Sequence, residues 1–502
     1  MSLPPQEALL AEGSLAGQVG DFDHAIACFR AALKQTPQHP GIMLYLSKAY
    51  GLSFRYREAE QWLQKALRLA PQDERALQLA AQNYQEWDHP DGALPFLRRA
   101  VASHAGSVDN WLHLGRALER SSQLVAAGEA ALRAAELAPR HSEVLHLQAR
   151  LAQRAGDFPE AERLLREALE QNPNPETAAE LWYACASVCD AAGKFDLAWD
   201  AATKAKVLQS KLAESLREPA DACRREIERL ERPLPRFIAE EHASASGVNL
   251  AILCGYPRSG TTLMGQVLAG HPDLTYADEV LALARVLRQG ENLTEPARAD
   301  WFFHTGPQQR DALRREYQRC VEAQLERQVK WQRPVVLDKN PAVTRCVPAM
   351  LSLFPNLKVL FPVRDPRDVA ISCYLRPFPV NAFTAHFNRL NTLATHLRAN
   401  YAVWKAMCTR LPLAHLEVRY EDMVASPIQT NRMVCEFLCL DPSALPSDHR
   451  PSATRRFIHS PTYAEVLQPL HARAVGRWQA YSAHLRPELD SLHELAREQG
   501  YL

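Results

Sequence analysis

Ala25, Ala59, Ala93, Ala127 and Ala161 stand 34 residues apart, and Ala32, Ala66, Ala100, Ala134 and Ala168 repeat the interval in the same phase. A period of this length is one supersecondary unit, too small to bury its own apolar face and therefore stacked on copies of itself. The small side chains let the two helices of a unit approach closely, while Phe22, Tyr56, Leu124 and Phe158 recur in phase as larger plugs, with Pro90 in that place in the third unit. Pro37, Pro71, Pro139 and Pro173 fall between units, and Ala105 interrupts that series. A last unit, Gly193-Lys-Phe-Asp-Leu-Ala198, arrives three residues late, which predicts an irregular final pair before a capping helix near Cys223 to Leu230.

This period and pattern are those of tetratricopeptide repeats. An all-α repeat domain is expected over residues 1–215, with a capping helix and linker over 216–247, where Pro219, Pro233, Pro235 and Ser244 to Gly247 mark the passage. Stacked repeats present a concave face. A peptide or partner protein on that face and simple support of the neighbouring domain both remain open.

The rest of the chain opens on a different signal. Residues 252–263 read Ile-Leu-Cys-Gly-Tyr-Pro-Arg-Ser-Gly-Thr-Thr-Leu, an apolar strand, a glycine turn and a helix start. Such a loop turns backbone N–H groups and the positive end of a helix dipole towards an anion, and Thr261 and Thr262 add hydroxyl donors. Gly255 and Gly260 have Walker A spacing, but the Walker lysine is absent. A γ-phosphoryl group with Mg²⁺ calls for that lysine, whereas a sulfonyl group carries less charge and leaves a nucleotide without a metal. Arg258 offers a planar fork for phosphate oxygens. An ordinary strand-turn-helix is the plain alternative.

With these residues in view, positions 248 to 480 resemble the sulfotransferases that use 3′-phosphoadenosine-5′-phosphosulfate (PAPS), and among them the tyrosylprotein and tetratricopeptide-containing branches. The resemblance implies that Pro257, Arg258, Ser259, Gly260, Thr261 and Thr262 hold the 5′-phosphosulfate end of the donor. A second element runs from Leu360 through Arg364-Asp-Pro-Arg to Ser372, where Leu357 to Val363 reads as a buried strand and Pro366 opens a helix. Arg364 and Ser372 there look like the family's 3′-phosphate clamp. Glu279 falls where tyrosylprotein sulfotransferases carry a glutamate resembling a general base, with Asp278 and His386 as substitutes; the plain alternative is a solvent-facing carboxylate at a helix start. Lys339 follows an apolar run and so ends a strand, where it and Arg258 would meet charge on the departing group; a solvated turn lysine is the alternative. Tyr420, in Tyr-Glu-Asp, resembles a tyrosine that approaches the donor. Leu467 to Trp478 looks like the segment closing over the nucleotide, although Thr462 stands where a serine is usual and Gln468 where the family has a lysine, leaving Arg473 or Arg477 to replace it.

The expected fold of residues 248–502 is a P-loop-like α/β domain with a mostly parallel sheet covered on both faces. At 502 residues and 47% apolar content the chain accommodates two cored domains. Its 58 basic residues against 58 acidic ones recommend no nucleic-acid or anionic-membrane partner. Neither a secretory leader nor a membrane span is legible, so a cytoplasmic protein is expected. Cys185 with Cys189, and Cys435 with Cys439, lie one helical turn apart and read as packing, so no metal is expected. For the acceptor, a hydroxyl compound, the aromatic stretches Leu375 to Phe387 and Trp301 to Phe303 suit a phenol, a sugar or a lipid-like alcohol, and the resemblance adds peptide tyrosine. A PAPS-dependent sulfotransferase is the first reading. A repeat-based adaptor with a non-catalytic nucleotide domain is the second, and a small-molecule kinase is disfavoured by the missing lysine.

Overall fold

The computed structural model describes residues 5–18, 20–87, 89–218, 221–231, 247–279, 282, 283, 285, 286, 305–325, 328, 329, 331, 335–450 and 463–501. The chain divides into two compact units between Pro173 and Asn174.

In the first unit, helices pair in chain order: Pro5–Gln18 with Phe22–Gln35, Pro40–Leu52 with Tyr56–Leu69, Glu74–Glu86 with Leu94–Ser103, Val108–Arg120 with Leu124–Leu137, and Ser142–Arg154 with Phe158–Glu170. All ten periodic alanines have no exposed surface. A larger side chain there has nowhere to go without separating two helices, an overpacking cost of roughly 1–3 kcal/mol. Asp21 and Asp157 sit one residue before the phased aromatics and cap the second helices, accepting from the backbone N–H of His24 and Glu160, each at 3.1 Å.

The second unit opens with a sixth pair, Pro175–Ala191 and Phe195–Leu216. Its first helix has 17 residues, against 13 in Val108–Arg120 and Ser142–Arg154. That extra turn accounts for the late arrival of Phe195 and Ala198 in the sequence period. A helix is present at Ala222–Glu231, where a capping helix is expected, but it packs against the Leu390–Arg410 helix of the following domain, with Asn400 Nδ2 donating to Cys223 Sγ at 3.7 Å.

Five strands follow: β1 (Leu250–Leu253), β2 (Leu274–Asp278), β3 (Val335–Lys339), β4 (Lys358–Val363) and β5 (Ala414–Arg419). They form one sheet in the order β2-β3-β1-β4-β5, with every neighbouring pair parallel. β1 and β3 are buried along their whole length, β3 carrying Asp338 and Lys339 after three apolar residues, and each buried Val, Leu or Ile side chain contributes roughly 1.5–3 kcal/mol. β5 is the exposed edge. The sequence reading contained no strand at β2. After β3 the chain makes a 3₁₀ turn at Pro341–Cys346 and a short helix at Val347–Leu353. Two prolines, Pro341 and Pro348, each lacking an N–H, keep the α-helical ladder from spanning the stretch.

The chain leaves β1 for β2, returns to β3, then crosses to β4 and β5 on the other side. Connections therefore diverge on either side of β1, and a crevice opens at the carboxyl ends of the strands. Among the described residues, no helix is long and apolar enough to cross a membrane.

Candidate active site

The loop after β1 is built by two unusual backbone conformations. Arg258 has φ 75° and Gly260 has φ 102°, which swing the chain sharply into the Thr261–Leu268 helix. A Cβ on Gly260 would fall 2.7 Å from Tyr420 Cδ2, so glycine is dictated by contact as well as by φ. The turn is pinned by Ser259 Oγ, which donates to the Tyr256 carbonyl at 2.6 Å, and no side chain caps the helix that follows. First-turn N–H groups without a capping side chain are what an anion site offers.

Two arginines converge on this loop. Arg258 Nε donates to Ser372 Oγ at 2.9 Å, and Arg364 Nη1 donates to the carbonyl of Arg258 at 3.0 Å. The Arg364 guanidinium lies 4.7 Å over the Tyr420 ring, and its buried Nε has no hydrogen-bond partner among the described residues. Burial pulls the Arg258 pKa down to about 10, which leaves it cationic at neutral pH. An orphaned guanidinium N–H beside a second desolvated arginine suits a phosphate or sulfate oxygen.

A cavity of about 390 Å³ occupies the crevice and takes residues from beyond all five strands: Arg258 after β1, Glu279 after β2, Asn340 after β3, Arg364 after β4 and Tyr420 after β5. Pro257, Gly260, Thr261, Thr262 and Ser372 also line it. Ser259 is fully buried within the turn rather than on the wall. Thr462 lies outside the described residues, as do Trp301 to Phe303.

Glu279 follows β2 with φ 52°, its N–H donating to the Lys339 carbonyl at 2.7 Å. Lys339 ends β3, as the apolar run predicts, but its side chain is wholly buried and pairs with both Glu279 (2.6 Å) and Asp278 (2.8 Å). Burial works against the ammonium, and the two carboxylates outweigh it, so its pKa is raised and it stays charged. Lys339 meets the cavity through Glu279. Neither Asp278 nor His386 lines the wall; His386 stacks on His396 at 4.1 Å, and burial brings its pKa down to about 4. Phe378 and Phe383 line the cavity, backed by Phe387 at 5.1 and 5.9 Å.

The opposite wall comes from the C-terminal segment, including Gln468, His471, Ala474 and Arg477. Asp368 clasps it, its carboxylate accepting the N–H groups of Gly476 and Trp478 at 2.8 Å each, while Arg367 packs 4.1 Å over the Trp478 ring. Sequence reasoning missed Asp368, Arg376 and Glu465, all on the cavity wall, with Arg376 donating to Glu465 at 2.6 Å. Only Asp368 carried a signal, as the continuation of Arg364-Asp-Pro-Arg on the same helix.

Helical repeats joined to a parallel α/β domain, with an arginine-lined cavity where the strand connections diverge, define a repeat protein carrying a P-loop-like α/β domain. Residues 251–443 match the sulfotransferase family, and residues 10–74 and 142–175 match tetratricopeptide repeat models, so the chain carries a sulfotransferase-family domain preceded by tetratricopeptide repeats. It is 24% identical over 268 residues to the protein-tyrosine sulfotransferase 2 of Gallus gallus, covering 50% of this chain and 71% of that one. The protein-tyrosine sulfotransferase of Drosophila melanogaster is 26% identical over 246 residues, 46% of either chain. A Caenorhabditis briggsae relative is 28% identical over 196 residues, 38% of this chain and 65% of its own length. The matches thus span less than two thirds of the Drosophila and Caenorhabditis relatives.

Proposed function

We propose that this protein is a PAPS-dependent sulfotransferase acting on a hydroxyl acceptor, with the tyrosine of a peptide as the acceptor that the relatives' names favour. The observation that carries the reading is the Arg258–Arg364 arrangement on a P-loop-like turn without its lysine. The orphaned Arg364 Nε and the close-packed Gly260 turn fit the phosphates of a nucleoside bisphosphate. Bound there, PAPS supplies a sulfonyl group already attached to a phosphate leaving group.

In this reading Arg258, Thr261 and Thr262 hold the 5′ end and Arg364 and Ser372 the 3′-phosphate. Tyr420 buttresses Gly260, and Thr462 is a further donor contact. Glu279 takes the acceptor's proton as its oxygen bonds to sulfur, and the electron pair of the broken S–O bond departs with the phosphate. Lys339 holds the Glu279 carboxylate in place, while Arg258 meets charge developing on the leaving oxygens. The hydroxyl acceptor enters past Phe378 and Phe383. Repeats over residues 1–215 would take a peptide or protein partner on their concave face, residues 216–247 link, and 248–502 catalyse. The free thiols of Cys254 and Cys373, which burial pushes up to about 12, suit a reducing cytoplasmic setting.

Calorimetric titration with 3′-phosphoadenosine-5′-phosphate, without added metal, tests the assignment. Micromolar binding that is lost in Arg258→Ala, with ATP much weaker, supports it; an ATP preference requiring Mg²⁺ overturns it. Gln468, in place of a family lysine, favours the adaptor as second reading, and an adaptor would bind the nucleotide without turnover on any acceptor.

A further inference from the structure

Arg477 is the one of the two arginines considered as replacements for the family lysine that reaches the cavity. It lines the wall beside Gln468, whereas Arg473 is exposed and does not. Its guanidinium is not aimed by the sulfotransferase domain itself. It pairs with Asp190, whose side chain is only 5% exposed, in the last turn of the Pro175–Ala191 helix. Tyr481, fully buried, donates its hydroxyl to the other Asp190 oxygen at 2.5 Å and packs on Phe195 at 5.3 Å. His484 lies 2.7 Å from Asp196 and stacks on Trp199. The segment that closes the cavity is thus clasped by Asp368 on one side and by the last helical pair on the other. A second wall arginine, Arg376, is tied to the same helix through Ser187 Oγ at 3.1 Å.

We infer that Arg477 is an oxyanion-binding residue of the donor site, taking the place of the charge that Gln468 lacks, and that Asp190 is its positioning residue. The donor site of this chain therefore extends into its last helical repeat, outside the family match at residues 251–443. A guanidinium has five N–H donors; a carboxylate on one edge fixes the plane and leaves the other edge for a phosphate oxygen. Pre-organisation of this kind removes the cost of immobilising a long side chain when the donor binds. The inference rests on the sulfotransferase reading.

The test is calorimetric binding of 3′-phosphoadenosine-5′-phosphate to the full chain, with donor KM and kcat measured alongside. Arg477→Gln should weaken binding about 10- to 100-fold, the loss of one or two charge-assisted hydrogen bonds, while Arg473→Gln stays within about twofold. Asp190→Asn should raise the donor KM about tenfold at unchanged kcat, and add nothing to Arg477→Gln in the double variant, as expected of two residues acting through one contact. If Asp190→Asn does not fold, Asp190→Glu, which shifts the carboxylate by one methylene, is read in the same way. Binding by Arg477→Gln within twofold of wild type, or full additivity in the double variant, overturns the inference while wild-type binding still supports the sulfotransferase reading. Absence of binding by the wild type overturns both.

Discussion

Lys339 Nζ lies 2.6 Å from Glu279 and 2.8 Å from Asp278, so a single ammonium at the end of β3 balances two carboxylates at the end of β2. The two strands run side by side in register, Asp278 opposite Lys339, and the pairing therefore belongs to the sheet as much as to the site. Glu279 alone of the three reaches the cavity. Lys339→Met should cost about 3–5 kcal/mol of folding stability, because it strands the Asp278 carboxylate, whose side chain is 10% exposed, without its counter-charge. Denaturant unfolding measures it, and a loss below about 1 kcal/mol would mean that water reaches Asp278 as well as the half-buried Glu279.

Glu279→Gln keeps the shape of the side chain and removes the proposed base. On the proposed roles, turnover should fall about 10²- to 10⁴-fold with nucleotide affinity unchanged, since the donor is assigned to the arginines. Single-turnover kinetics beside calorimetry separates the two; a parallel loss of affinity would assign Glu279 to binding instead.

Gly260→Ala introduces a methyl at φ 102° and 2.7 Å from Tyr420. The backbone strain alone is of order 1–3 kcal/mol, and relief requires moving Tyr420 or the loop. Nucleotide binding should drop at least tenfold while the repeat helices keep their circular dichroism signal.

Burial pushes the Asp368 carboxyl up to about 6 from its ordinary value of 3.8. Between those values the folded chain holds a proton that the unfolded chain has released, so this group's contribution to stability is full below pH 3.8 and is lost as pH rises through 6. Asp368→Asn should remove that fall, on the order of 2–3 kcal/mol between pH 4 and 7. It should also weaken nucleotide binding at pH 7, because an amide offers one acceptor oxygen to the N–H groups of Gly476 and Trp478. Unfolding curves at the two pH values, and calorimetry at the upper one, check both halves.

The parts of this molecule that were legible beforehand are those written in short-range pattern. Ten alanines at a fixed interval each proved to be a helix contact, and the loop at Arg258, the strand into Arg364 and the helix at Pro366 follow from local apolar runs and proline. β2 escaped because Leu274-Thr-Tyr-Ala-Asp278 is five residues without alternation, a run that periodicity does not separate from a helix start. The burial of Lys339 escaped because a lysine at a strand end ordinarily reaches solvent, and only the register of β2 beside β3 brings two carboxylates to it. Asp190 with Arg477, and Ser187 with Arg376, escaped because no local pattern encodes contacts between residues so far apart in the chain.

The additional turn in the Pro175–Ala191 helix carries an evolutionary consequence. A 34-residue module can be duplicated or deleted within the earlier array, since each copy pairs its own two helices through the same alanines. The last pair has left that exchangeable series. Excising three residues from its first helix would restore the phase but turn Ser187 and Asp190 by a net of about 60° and shift them about 4.5 Å along the helix axis, off Arg376 and Arg477. The broken period is the place where a repeat has become a private part of the domain beside it.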